Sequence, residues 1–323
     1  MFTVNEIQGF VYQAVQNLIS SYSNSSLHLP VEYALSVGGK RLRPVLCLMT
    51  YNMFCDNLPP FVLKPALGLE IYHNFTLVHD DVMDHSDMRR NQPTIHKKWN
   101  VNTAILSGDA LCMLAYKYMS QCNPDDLPAV LEVFNQAAED VCEGQQLDMD
   151  YERQAVISQE EYLNMISHKT GALIACAMQT GAICAKADPA TIQLLKNSGY
   201  SLGAAFQVQD DYLDVYGDQA VFGKSIGLDI CNNKKTWLLT YALRTAQGND
   251  LNELNTLVQT KDNSQKVPGI IAVYNKIGVK EAAEKQIADY LDRTLSAIEG
   301  VNVKPERKVL LMEYIQNLLY RNK

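Results

Sequence analysis

The chain carries one acidic pattern twice, Asp80-Asp81-Val82-Met83-Asp84 and Asp210-Asp211-Tyr212-Leu213-Asp214, each within apolar, helix-like sequence. In an α-helix the first and last aspartates of such a pattern are four residues apart. They share one face and lie about 6 Å apart along the axis. Like charges at that spacing repel and weaken the helix, so each cluster needs a counter-charge. All-oxygen ligands that retain water and share a substrate's phosphates describe Mg²⁺ better than a zinc or calcium cage. One copy alone would also fit a solvated acidic turn at a helix N-terminus. Two copies, each after an apolar run (Phe75 to Val78 and Gly203 to Phe206), favour metal. Only one Glu-x-x-His occurs, Glu70 to His73, where a di-iron bundle carries two, which disfavours di-iron redox chemistry.

The chain has 323 residues, is 47% hydrophobic and shows no linker-like stretch, so residues 1–323 read as a single domain. No apolar run reaches the roughly 18 residues of a transmembrane segment. The start, Met1 to Phe10, contains Asn5 and Glu6 instead of a basic segment followed by an apolar one, so the expectation is a cytoplasmic protein. Eight cysteines lie in apolar segments without a CxxC pair, which suits reduced core thiols. A net charge of −8 argues against nucleic acid as a partner.

Most segments read as helices, and no alternating strand-like run is bounded by hairpin turns. Asp188 followed by Pro189 predicts an N-cap and first residue of a helix that runs through Asp214. Ser158 with Glu161 predicts a capping box ahead of Tyr162 to His168. Asn57 to Pro60, Asn91 to Thr94 and Asn123 to Asp126 read as connections. The fold class is therefore all-α. Each aspartate cluster falls near the C-terminal part of a long apolar segment and precedes a polar stretch, His85 to Pro93 or Gly217 to Asn233.

Basic residues flank the acids. Gly38-Gly39-Lys40-Arg41-Leu42-Arg43-Pro44 combines glycines that let backbone approach an anion with a point charge and a bidentate fork. Arg89 and Arg90 follow the first cluster, and Lys224, Lys234 and Lys235 follow the second. Singly, each pair reads as solvated surface charge. Together they suggest a polyanion bridged to the acids by metal.

These residues resemble the trans-isoprenyl diphosphate synthases, or polyprenyl synthetases. GGKRLRP resembles that family's GGKRxRP, HDDVMD with DMRRNQPT its first aspartate-rich region, and FQVQDDYLD with GKSIGLDICNNKKT its second. LSGDAL at 106, CEGQQLD at 142 and HKTGAL at 168 fit the intervening segments in order, and the match spans roughly residues 35 to 245. Asn91 stands where the family usually has glycine. Asparagine tolerates a left-handed backbone, so the loop is expected to persist.

The resemblance implies a single-domain isoprenoid synthase fold, with antiparallel helices around a central apolar cavity. It also implies head-to-tail condensation of isopentenyl diphosphate with an allylic diphosphate (dimethylallyl, geranyl or farnesyl). In that scheme Asp80, Asp84 and Asp210 hold Mg²⁺, about three ions per site, with Asp81, Asp211 and Asp214 in support. Arg89, Lys169, Lys224 and Lys234 offset the allylic diphosphate. Lys40, Arg43, His73 and Arg90 form a metal-free, carboxylate-free site for isopentenyl diphosphate, and Thr170 and Gln207 place dipoles near the cationic centre. The resemblance further implies a homodimer.

Counting back by turns from Asp80 puts Thr76 and Tyr72 on its face with Phe75 beside them, and Tyr72 about 12 Å away. By the family resemblance, a ring followed by a small residue, here Phe75-Thr76, implies a C20 product, geranylgeranyl diphosphate. Farnesyl diphosphate or a longer product is the alternative. A terpene cyclase lacks the symmetric second motif and the isopentenyl site, and a head-to-head synthase has another motif order. A non-catalytic subunit of a heteromeric synthase would lose aspartates or lysines that this chain keeps. The basic C-terminal residues Arg321 and Lys323 read as a solvated tail, with a tail that reaches over the isopentenyl site as the alternative.

Overall fold

Capping chemistry sets many of the helix starts. The structure, a computed structural model, describes residues 1–21, 25–217 and 226–320. Thr3 and Glu6 cap each other reciprocally at the start of α1 (Val4–Ser20). Helices α2 (His28–Ser36) and α3 (Leu42–Asn52) follow, and Pro60 opens α4 (Pro60–Met83). After α5 (Ile95–Lys98), Asn100 caps α6 (Val101–Met119) through the Thr103 N–H at 2.8 Å. Helix α7 (Leu127–Glu152) precedes the predicted capping box: Ser158 Oγ accepts from Glu161 N at 3.1 Å, opening α8 (Gln159–Ile166). A π-helical turn, Ser167–Gly171, then leads into α9 (Ala172–Cys184).

Asp188 caps α10 (Pro189–Tyr216) as expected, accepting from Thr191 N at 3.0 Å, and the helix passes Asp214 by half a turn. The remaining helices are α11 (Leu228–Cys231), α12 (Trp237–Thr245), α13 (Gly248–Gln259), α14 (Asn263–Lys276), α15 (Val279–Glu299) and α16 (Pro305–Tyr320). The fold is all-α, and no helix among the described residues is long and apolar enough to cross a membrane.

One short hairpin departs from the helical expectation. β1 (Met88–Arg89) pairs antiparallel with β2 (Gln92–Pro93), Met88 opposite Pro93. Its two turn residues, Arg90 and Asn91, have φ of 51° and 61°, the pair of positive values that a type I′ turn requires. The left-handed tolerance of Asn91 is thus used as the sequence suggested.

The chain groups into two compact units. The first comprises Met1–Asn135, Cys176–Leu195 and Asn302–Leu311, and the second Gln136–Ala175, Lys196–Val301 and the segment from Met312 onward. In the first, α4 packs along α6, and Gly68 removes the side chain that would collide with Met119 Sδ, 2.8 Å from a Cβ placed there. In the second, Trp237, Tyr162, Tyr274, Leu238 and Val279 form a core with almost no exposed surface.

Candidate active site

In the first unit, Asp80, Asp81 and Asp84 occupy the last turn of α4. Helix C-termini already carry partial negative charge on their unpaired carbonyls, so the cluster adds to an unfavourable field instead of relieving one. The alternative reading, acidic residues at a helix N-terminus, is ruled out. Asp80 and Asp84 point to accessible surface, whereas Asp81 is only 5% exposed. Arg89 reaches back from the hairpin and places Nε and Nη2 each 2.8 Å from Asp81 Oδ1, with Nη2 3.8 Å from Asp80 Oδ2. Burial pushes the Asp81 carboxyl up to about 6 against the opposing pull of Arg89.

The second unit repeats the arrangement at the end of α10. Asp210 is exposed, Asp214 half-buried, and Asp211 2% exposed. Asp211 accepts from Tyr162 Oη at 2.6 Å, the Trp237 N–H at 2.7 Å and Gln207 Nε2 at 3.3 Å. Burial lifts its carboxyl to about 7, opposed first by the Lys234 charge and then by the Tyr162 hydrogen bond. Asp214 Oδ2 accepts from the Asp229 N–H at 3.1 Å, and Lys234 Nζ stands 3.9 Å from Asp229 Oδ1. Lys224 lies outside the described residues. Lys235, read as a flanking base, is buried.

Each motif therefore divides its labour. The middle aspartate turns inward and is satisfied by protein donors, while the outer two present oxygens. Among the described residues no three His, Cys, Asp or Glu side chains converge to cage a metal alone. A pair of carboxylates per helix end fits Mg²⁺, which keeps water and takes its remaining ligands from phosphate.

Lys169 and Thr170 sit on the π-helical turn, an irregularity that recurs at functional sites because it shifts backbone groups out of the α ladder. Asp148 on α7 holds Lys169 Nζ at 2.6 Å. Thr170 Oγ1 donates to Gln207 Oε1 at 3.1 Å, so Thr170, Gln207 and Asp211 form one hydrogen-bonded chain. Two glycines press helices against this turn. A Cβ on Gly144 would lie 2.3 Å from Lys169 N, and one on Gly203 2.5 Å from Gly171 Cα. Asp148 ends the CEGQQLD segment, and its partnership with Lys169 crosses 21 residues, beyond the reach of local spacing.

The basic cluster lies in the first unit. Gly38, Gly39 and Arg41 have φ of 86°, 125° and 47°, and Arg90 Nη1 donates to the Gly38 carbonyl. Glycine suits position 39 because a φ of 125° is a backbone conformation that residues with a Cβ rarely adopt. Burial pushes Arg43 down to about 10, with Glu70 opposing and Arg90 adding to the effect, and its buried Nε has no hydrogen-bond partner among the described residues. Burial, reinforced by Arg43, Arg90, Arg89 and Arg41, holds His73 well below the usual imidazole range, so it is neutral near pH 7. Lys40 is exposed. The expectation of a site without carboxylates needs one correction: Glu70, 2% exposed, lies within this cluster and pairs with Arg41 at 2.6 Å.

Of the three chain-length candidates, Tyr72 is 2% exposed and Phe75 and Thr76 are partly exposed. Tyr72 stacks edge-on with Phe75 at 5.1 Å and with Phe134 at 5.2 Å, and Phe134 in turn meets Tyr116 at 5.0 Å. Phe134 and Tyr116 come from α7 and α6, and no local periodicity flagged them.

A family model, polyprenyl synthetase, matches residues 24–276. A short chain isoprenyl diphosphate synthase from Methanothermobacter thermautotrophicus is 32% identical over 93% of this chain and 92% of its own length. A geranylfarnesyl diphosphate synthase from Natronomonas pharaonis is also 32% identical, over 98% and 96%. A crystal structure of a geranylgeranyl pyrophosphate synthase superposes with a TM-score of 0.94 at 37% identity, over 100% of both chains. An all-α chain with paired aspartate-rich helix ends and these relatives is a trans-prenyltransferase. The chain belongs to the polyprenyl synthetase family.

Moving the π turn should impair chemistry, because a shift of about 1 Å in a positioned group can cost on the order of 100-fold. Gly144→Ala and Gly203→Ala are each expected to lower the condensation rate by that order while circular dichroism stays helical, and unchanged rates would refute the packing argument. The buried Asp211 sets a pH dependence. Its raised carboxyl favours the folded state when protonated, so this contribution is complete below the ordinary value of 3.8 and is lost as pH rises to about 7. Asp211→Asn keeps an acceptor but cannot titrate. In EDTA, the urea midpoint should therefore fall less between about pH 5 and pH 7.5 in the variant than in the wild type.

Proposed function

We propose that the protein condenses isopentenyl diphosphate head-to-tail with an allylic diphosphate, and that its product is geranylgeranyl diphosphate. The observation that carries this reading is the buried Arg43 Nε, which has no hydrogen-bond partner among the described residues, in a cluster of four arginines of which Arg89 also reaches the first aspartate cluster. One anion is thereby offered an uncommitted guanidinium donor. The other is offered carboxylates that require a metal.

Asp80, Asp84, Asp210 and Asp214 are assigned as the carboxylates that hold about three Mg²⁺ ions, and Asp81 and Asp211 as the groups that orient them. When bound, Mg²⁺ neutralises the departing diphosphate and so eases rupture of the allylic carbon–oxygen bond. Arg89, Lys169, Lys224 and Lys234 add fixed positive charge to the same leaving group. Lys40, Arg43, Arg90 and neutral His73 bind the second diphosphate without ionising it. Thr170 and Gln207 supply oxygen dipoles to the allylic cation. The isopentenyl double bond attacks that cation, and the proton then lost passes to the released diphosphate. Exclusion of water by apolar walls protects the cation.

The ring pair Tyr72 and Phe75, backed by Phe134, is assigned as the wall that limits product length. We further assign a homodimer in the cytoplasm. Its support is a line of exposed apolar residues on α6, Ile105, Leu106 and Met113, which a second copy would cover.

Purified protein given Mg²⁺, labelled isopentenyl diphosphate and separate C5, C10 and C15 primers should extend them to C20, and no extension of any primer sinks the synthase reading, leaving a non-catalytic subunit. Tyr72→Ala or Phe75→Ala should lengthen the product. Unchanged chromatograms for both place the limit elsewhere.

A further inference from the structure

We infer that Glu70 and Arg41 are positioning residues for isopentenyl diphosphate: their buried ion pair fixes the loop that carries Lys40 and Arg43. The inference rests on the proposed assignment of the arginine cluster to that substrate.

Nothing in the condensation uses Glu70. A carboxylate that is 2% exposed is costly unless it is paired, and its pairing is specific. Oε1 accepts from Arg41 Nη1 at 2.6 Å and from Asn74 Nδ2 at 3.2 Å, and Oε2 has no partner among the described residues. Arg41 Nη2 donates to the Leu35 carbonyl in the last turn of α2. One guanidinium thus joins the end of α2, the start of α3 and the body of α4.

The loop needs such a tie. Arg41 is held at φ 47°, a left-handed conformation unfavourable for a residue with a Cβ, directly after two glycines at 86° and 125°. Three of the four residues from 38 to 41 therefore lie outside the regions that ordinary side chains prefer. Lys40 and Arg43 flank Arg41, so their placement follows from its own. By occupying Arg41, Glu70 also removes one guanidinium from competition for the ligand and leaves the Arg43 Nε uncommitted.

The sign of the effect discriminates between roles. If Glu70 acted only through its charge, its removal would make the pocket more positive and tighten binding of an anion. If it positions the loop, removal weakens binding.

The test is calorimetric titration of isopentenyl diphosphate into the full-length protein in EDTA, where no condensation occurs. Wild type should bind, and Glu70→Gln should bind about tenfold more weakly. In steady-state assays with Mg²⁺, the KM for isopentenyl diphosphate should rise about tenfold while the KM for the allylic primer stays within about twofold. The double variant Arg41→Gln/Glu70→Gln leaves neither member of the pair charged without the other, and so guards against misfolding of the single variant. It should also bind about tenfold more weakly than wild type, without adding to the loss in Glu70→Gln, since the two residues act as one unit. Glu70→Gln or the double variant binding as tightly as wild type, or tighter, overturns the inference alone. Wild type that fails to bind in EDTA overturns the site assignment beneath it.

Discussion

Electrostatic repulsion at two helix ends is the constraint on which the rest of this molecule depends. Asp80 and Asp84 close α4, and Asp210 and Asp214 lie in the last turns of α10, where helix carbonyls already concentrate negative charge. Helix-end electrostatics do not favour four carboxylates there. The middle aspartates show how the protein tolerates the arrangement: Asp81 is held by Arg89, and Asp211 by Tyr162, Gln207 and the Trp237 N–H. With these inner groups satisfied, the outer oxygens keep their place while repelling one another, which is the condition a divalent cation relieves.

The basic cluster poses the inverse problem. Four arginines around a neutral histidine repel each other, and the protein meets part of that cost internally through Glu70 on Arg41 and Asp81 on Arg89. Among the described residues, the Nε of Arg43 has no partner. One kind of site thus gathers carboxylates at a helix end and the other is left with an unanswered donor. Two diphosphates with different fates can be told apart on that difference alone.

Much of this was legible in the sequence because it is local. The helix starts at Ser158 and Asp188, the left-handed Asn91 and the doubled aspartates each depend on residues within four positions of one another. Pairings across long stretches of chain were not legible. Arg41 with Glu70 spans 29 residues, Tyr162 with Asp211 spans 49, and Lys169 with Asp148 joins two motifs that local spacing cannot connect. Helix α4 is buried nearly all round from Leu67 to Tyr72, so its periodicity could not single out Glu70 as facing the arginines or Tyr72 as facing Phe134. Lys235 read as a surface base although it is buried, because nothing in its local sequence marks the packing around it.

The central claim is that carboxylates mark the diphosphate that leaves and guanidiniums the one that stays. The most direct measurement is the Mg²⁺ dependence of binding for two ligands, an unreactive allylic thiolodiphosphate and isopentenyl diphosphate, each titrated alone. The account predicts that Mg²⁺ strengthens binding of the allylic analogue by at least about 100-fold, two decades or about 2.7 kcal/mol, and leaves isopentenyl diphosphate unchanged. Equal strengthening of both ligands, or of neither, would contradict it.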